Sequence, residues 1–262
     1  MRWIKFNTGE GSHYGIIEGT SGEWVRRVRG NPFEGYEIED YRVAYDEVTI
    51  EVPFLPRTFY CAGLNYAAHV IESAKKAGVE PKLPAAADIG YRANNALIAH
   101  GETVIMPTDA SVVHYEGELV VVIGKKAHRL SESEALSCVL GYTIGNDVSE
   151  RNWQRSDRTF WRAKNTDTFK PMGPWIDTDF KVDDAITTVT VNGVATTRFR
   201  TADMLFGIET FISRMSHYLT LYPGDCIWMG TDGKSPDLKD QDVVEVEISG
   251  LGTLRNQFRK NS

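Results

Sequence analysis

From Trp3 to Asn256 the chain is a succession of short β-type runs cut apart by turn residues, and only three windows break the pattern with helical spacing. A run of about four to eight residues bounded by Gly, Pro or Asn can bury its apolar face only by pairing within a sheet. The chain is therefore constrained to a strand-rich fold with a few helices. The first runs are Trp3–Phe6, Tyr14–Glu18, Trp24–Val28 and Val48–Val52, with Gly9-Glu10-Gly11 and Asn31-Pro32 among the turns. Pro53 and Pro56 precede a strongly apolar run, Thr58–Ala62, and mark a boundary between a small N-terminal β domain (residues 1–55) and a main domain (residues 56–262).

In the main domain the strand candidates are Glu118–Ile123, Tyr142–Asn146, Thr187–Val191, Asp225–Met229, Val243–Ile248 and Thr253–Asn256. Asn192-Gly193 predicts a type I′ hairpin, because both residues tolerate positive φ. Asn65 is the expected N-cap of a helix reaching about Lys76, closed by Gly78 and Pro81. Ser131-Glu132-Ser133-Glu134 matches a capping box, with Ala135, Leu136, Val139 and Leu140 on one helical face behind it. A third helix is expected after Thr201, where Met204, Leu205, Ile208, Phe211 and Ile212 fall at helical spacing. Pro84–Gly90, rich in alanine, reads as a loop.

Composition excludes more than it selects. With 29 Lys and Arg against 36 Asp and Glu the net charge is −7, which disfavours nucleic acid or an anionic membrane as partner. No stretch approaches the roughly 20 apolar residues of a membrane helix. Met1–Phe6 lacks the apolar core of a secretory signal, so the expected setting is the cytoplasm. Cys61, Cys138 and Cys226 are too widely spaced for a disulfide framework or a zinc site, and are expected as reduced, buried thiols.

Candidate chemistry begins at Glu116-Gly117-Glu118. Alternate strand residues share a face, so the two carboxylates point together and repel unless a cation or proton lies between them. Gly117 leaves the opposite face bare for close approach. Asp147, at the end of another strand candidate, would complete a set of oxygen donors suited to a hard divalent cation with positions left open for substrate. Taken alone, the pair is equally compatible with a solvated outer strand face. Lys164 lies in a stretch mixing Arg, Gln, Lys and Thr with aromatics, and could stabilise an enolate or move a proton. His69 and Glu72, three apart on the first helix, share a face, and a carboxylate on one imidazole nitrogen raises the basicity of the other. Gly230-Thr231 at a strand end can offer an N–H and a hydroxyl to a carboxylate. His13, His128 and His217 read as structural or exposed, His100 as a turn residue, and His114 as lying outside the acidic pair.

Taken in order, Gly63-Leu64-Asn65-Tyr66-Ala67-Ala68-His69, Tyr115-Glu116-Gly117-Glu118-Leu119, the run Gly141 to Arg151, Lys164 to Thr168, Pro171-Met172-Gly173-Pro174-Trp175, Val191-Asn192-Gly193, Leu221 to Asp225 and Gly230-Thr231 resemble the fumarylacetoacetate hydrolase family over residues 57–258. The resemblance implies an α+β, mostly β fold, a mixed β-sandwich roll with a small N-terminal β domain, and a homodimer. It implies Mg²⁺ or Mn²⁺ at Glu116, Glu118 and Asp147, a His69–Glu72 dyad on a helical lid, and Lys164 as the catalytic lysine. Arg151, Gln154, Thr168 and Thr231 fall on positions that hold substrate oxygens. Arg92 stands where relatives usually carry Lys, and is assigned to substrate. Asp232-Gly233 departs from the family's Gly-Thr-Pro loop.

The reaction so implied is hydrolysis of an acylpyruvate-like 1,3-diketo acid: His69 draws a proton from water, water attacks the distal carbonyl, and the departing enolate is stabilised beside Lys164. Two rivals use the same site without attacking water, decarboxylation of an oxaloacetate-like acid and isomerisation of a hydroxydiene-dioate. A third is a non-catalytic relative that binds a small acid.

Overall fold

The computed structural model describes residues 1–261, apart from the side chain of Lys76. Its larger sheet runs, from one edge to the other, through Gly35–Ala44, Trp24–Asn31, Ser12–Glu18, Arg2–Asn7, Lys170–Asp177, Val139–Asn146, Gly117–Ile123, Cys226–Trp228, Phe59–Ala62 and Ile89–Tyr91. A second sheet orders Val194–Arg200, Ile186–Val191, Val243–Ile248, Gly252–Lys260 and Thr103–Met106. The architecture is mostly β with few helices, as the resemblance implied.

Gly117–Ile123 is buried at every residue because both its faces are covered. Val121 and Ile123 meet Val189, Val246 and Phe258 of the second sheet, while Val120 and Val122 join Phe59, Met172 and Trp228 on the other side. Each such side chain contributes about 1.5–3 kcal/mol of burial. The bare face of Gly117 is where the second sheet presses in: a Cβ there would lie 2.8 Å from Val246 Cγ1 and 2.9 Å from Val189 Cγ2. The N-terminal strands extend the same sheet, with Arg2 opposite Asp177 and Trp3 opposite Ile176.

Most expected strands form, and Asn192 (φ 53°) and Gly193 (φ 76°) turn the hairpin that pairs Val191 with Val194. All three cysteines are free and buried. Among the described residues no helix is long and apolar enough to cross a membrane.

Three expectations need correction, and one strand was not among those expected. Gly35–Ala44 is a ten-residue edge strand with no wholly buried residue, and its Glu-, Asp- and Arg-rich sequence carries no buried-face alternation. The capping box at Ser131 forms, but the helix is only Glu132–Ala135; Val139 and Leu140 open the strand Val139–Asn146 that pairs with Gly117–Ile123. The third helix is Ile208–Ser216, since Met204 is drawn into a bridge with Tyr66 and cannot join it. The first helix is Ala67–Ala77 with Tyr66 at its N-cap position. Asn65 instead ties three chain segments, donating to the Phe206 (3.2 Å) and Met229 (2.9 Å) carbonyls and accepting from Phe206 N–H (3.0 Å).

Candidate active site

Strand pairing explains how residues 29 positions apart come together. Gly117 lies opposite Asn146 in the antiparallel pair, so Glu116, Glu118 and Asp147 gather at one end of adjacent central strands. Asp147 N–H donates to the Glu116 carbonyl (2.8 Å), and Asn146 Oδ1 accepts from Glu116 N–H (3.0 Å), fixing both main chains. All three carboxylates are buried, and one oxygen from each lies within 4.8 Å of the others, a group able to hold a metal ion.

Positive charge is distributed unevenly around them. Lys164 Nζ bridges Glu116 Oε2 and Asp147 Oδ2, the latter at 2.9 Å. Arg151 Nη2 reaches Glu116 Oε1 at 2.7 Å. Arg92 grips Asp147 with two nitrogens, Nε to Oδ1 at 3.1 Å and Nη2 to Oδ2 at 2.8 Å, and Lys170 Nζ meets Oδ1 at 2.7 Å. Burial pushes the Glu116 carboxyl up, but Lys164 and Arg151 outweigh it and bring it down to about 2. Burial is likewise outweighed at Asp147 by Arg92, Lys164 and Lys170, which hold it well below the usual range. Glu118 has no such partner: among the described residues its one hydrogen bond comes from Gly230 N–H, at 2.8 Å. Burial first, then repulsion from Asp147 and Glu116, lifts it to about 8. An all-oxygen donor set with one under-compensated carboxylate is what a hard divalent cation would complete, so the residues fit the metal that the resemblance implies.

A cleft of about 610 Å³, lined in part by His69, Glu72, His114, Arg151, Gln154 and Arg155, meets the cluster through the Arg151–Glu116 pair. His69 and Glu72 thus face one cavity from the helix Ala67–Ala77. Burial, reinforced by Arg151 and Lys164 and opposed by Glu116, lowers the His69 pKa below 6.5 and favours neutral imidazole at pH 7. Its ring lies directly on Gly233, where a Cβ would fall 2.2 Å from His69 Cδ2. Gly233 also has φ of +81°, a conformation that glycine adopts freely.

Residues 58–259 match the family described as fumarylacetoacetate (FAA) hydrolase C-terminal, and residues 1–53 match the domain described as Rv2993c-like, N-terminal. The chain belongs to the fumarylacetoacetate hydrolase family. It is 35% identical to Protein Rv2993c of Mycobacterium tuberculosis over 98% of this chain and 97% of that protein. It is 40% identical to a 2,4-didehydro-3-deoxy-L-rhamnonate hydrolase of Sphingomonas sp. over 74% of this chain and 70% of that one. The solved structure of a 5-carboxymethyl-2-hydroxymuconate delta-isomerase from Mycobacterium smegmatis superposes with a TM-score of 0.90 at 34% identity, covering 100% of both chains.

Within this member of the fumarylacetoacetate hydrolase family, the expected site residues fall into two groups. Glu116, Glu118, Asp147 and Lys164 form the buried cluster, and His69, Glu72, Arg151 and Gln154 line the cleft, with Gln154 Oε1 accepting from Arg151 Nη1 at 2.8 Å. Thr231 is buried between them, its hydroxyl without a hydrogen-bond partner. Arg92 and Thr168 stand apart from the cleft lining. The Arg92 fork is taken up by Asp147, and Thr168 Oγ1 accepts from Ile105 N–H at 2.8 Å.

Sequence reasoning passed over three participants. His114 is buried, its Nδ1 accepting from Arg151 Nε (3.1 Å) while Nε2 meets Asp237 (2.8 Å), so it braces the arginine that grips Glu116. Its place two residues before Glu116 was the available signal. For Gly233 the signal was the departure of Asp232-Gly233 from the Gly-Thr-Pro loop; Lys170 had none, because Asp147 and Val148 are distant in sequence.

Proposed function

We propose that this protein is a divalent-metal-dependent hydrolase that cleaves a carbon–carbon bond in an acylpyruvate-like 1,3-diketo acid. One observation carries the reading: an imidazole on a separate helix faces a cleft whose Arg151 also pairs with Glu116 of the carboxylate–lysine cluster. Glu116, Glu118 and Asp147 would hold Mg²⁺ or Mn²⁺. A cation bound there supplies Lewis-acid polarisation of the 2-oxo acid oxygens.

The chain's own groups do the rest. His69, with Glu72 as its orienting partner, takes a proton from water as the oxygen adds to the distal carbonyl carbon. The bond between that carbon and the methylene carbon then breaks, leaving a carboxylic acid and the enolate of the 2-oxo acid. The Lys164 ammonium stabilises negative charge on the enolate oxygen until its carbon is protonated. Arg151, Gln154 and the unpartnered Thr231 hydroxyl hold substrate oxygens. Arg92, standing where relatives usually carry Lys, and Thr168 are the further candidates for substrate contact, held in this structure by Asp147 and Ile105 N–H. The same reading carries a homodimer in the cytoplasm.

Isomerisation of a hydroxydiene-dioate is a second reading, favoured by the full-length likeness to the Mycobacterium smegmatis isomerase. It would use the cluster and Lys164 for proton transfer, without attack by water. Purified protein assayed with acylpyruvates, oxaloacetate and a hydroxydiene-dioate, with and without Mg²⁺, separates these readings. Mg²⁺-dependent release of pyruvate and a carboxylic acid supports hydrolysis. Double-bond migration or CO₂ release without hydrolysis overturns it.

A further inference from the structure

Lys170 takes no part in the chemistry above, yet it is buried as few lysines are. Its side chain has 0% exposure. Its ammonium meets the Val148 carbonyl (2.9 Å), the Phe169 carbonyl (2.9 Å) and Asp147 Oδ1 (2.7 Å), one acceptor for each of its three N–H groups. A buried ammonium persists only when its hydrogens are met and its charge is answered, and here the answering charge is Asp147. That carboxylate also takes both prongs of Arg92 and the Lys164 contact. A carboxylate offers roughly four lone-pair sites, and these contacts use them all.

Across the cluster, Arg92, Arg151, Lys164 and Lys170 bring four positive charges to three carboxylates. Even fully ionised, the cluster carries a positive excess before any metal arrives. Of the cations on Asp147, Lys164 is the one able to yield. It rises from the five-residue helix Trp161–Asn165 and is shared with Glu116, whereas two main-chain carbonyls bind Lys170 in the sheet.

We infer that Lys170, sealed behind Asp147, makes metal binding at the three carboxylates conditional on an anionic 2-oxo acid. A divalent ion alone enters a site that already repels it, and a substrate carboxylate with its neighbouring oxygen restores the balance. The coupling is reciprocal, so metal and substrate load together. This rests on the metal reading proposed above. A charge shielded from water and 2.7 Å from Asp147 Oδ1 would shift cation affinity at that carboxylate by about tenfold or more.

The test is calorimetric titration of Mn²⁺ into the purified chain, with and without saturating oxalate as the anionic probe. In the unaltered protein oxalate tightens Mn²⁺ binding by about 100-fold or more, the upper part of the range for coupled sites. Lys170→Met, which keeps bulk and removes charge, binds Mn²⁺ about tenfold more tightly without oxalate and shows a correspondingly smaller oxalate effect. Lys170→Gln, which retains N–H donors for the two carbonyls, is the variant to read if Lys170→Met does not fold. Unchanged or weaker Mn²⁺ binding in the folded variant, with the oxalate effect intact, overturns the role of Lys170. Absence of Mn²⁺ binding by the unaltered protein in both conditions overturns the metal reading itself.

Discussion

Glu118 projects from a strand whose seven residues are all buried, while His69 projects from a helix whose outer side leaves Ile71 53% exposed. The cluster is anchored by two packed sheets and by main-chain bonds between neighbouring strands. The helix is anchored by Val70, Ala74, the Asn65 tie before its first turn, and the meeting of His69 with Gly233. The charged groups are thus held on a strand packed on both faces. The proposed base sits on a helix with one exposed face, the kind of element that opens locally at smaller cost than a central strand. The two regions should therefore respond differently to mutation.

The largest effect is expected at Asp147. Asp147→Ala leaves Arg92, Lys164 and Lys170 crowded without their anion, and should cost about 3–5 kcal/mol of stability along with activity. Thermal unfolding and an Mg²⁺-dependent acylpyruvate assay measure both. Survival of the unfolding midpoint would break the contrast, because it would mean the cluster is not structural.

His69→Ala should reverse the pattern. Hydrolysis falls by about 10²–10⁴-fold, while stability changes by no more than about 1 kcal/mol. A variant that hydrolyses normally would remove His69 from the chemistry.

Stability against pH separates carboxylates within the cluster itself. Glu118, lifted to about 8, binds its proton more tightly folded than unfolded. Its contribution is complete below the ordinary carboxyl range and is lost as pH rises through about 8. Glu116 and Asp147, both lowered, contribute above the ordinary range and lose that contribution in acid. Above the histidine range, where the lowered His69 and His100 no longer add stability with rising pH, the metal-free protein should therefore unfold at progressively lower temperature up to about pH 8. Saturating Mn²⁺ with oxalate should flatten that slope, as should Glu118→Gln. A flat profile in the unaltered metal-free protein would contradict an uncompensated Glu118.

A small change in stability, about 1 kcal/mol, is expected from Gly233→Ala through its positive φ. The added methyl should also push the imidazole off its seat, so hydrogen exchange in residues 67–77 should quicken while the central strands stay protected. Equal protection of the helix in both proteins would show that Gly233 does not seat it.

Much of this was legible before any fold was known. Strand alternation, the Asn192-Gly193 turn and the Ser131 capping box are local signals, readable from neighbours within a few residues. Glu116 and Glu118 share a face because strand geometry demands it. Spacing alone left their partner Asp147 uncertain, and the family resemblance supplied it.

What tertiary structure decided lies where distant segments compete for the same residue. Asn65 has the side chain of a helix cap, but the Phe206 and Met229 main chains take its hydrogen bonds. Val139 and Leu140 continue a helical face on paper, yet an empty place beside Gly117–Ile123 makes them strand. Asp147 takes the Arg92 guanidinium, and the strand Lys170–Asp177 brings the Lys170 ammonium to the same carboxylate. Local sequence sets what a residue can form with its neighbours. A buried charge or amide is instead assigned by whichever groups reach it in three dimensions, because leaving it unsatisfied away from water costs more than any local preference returns.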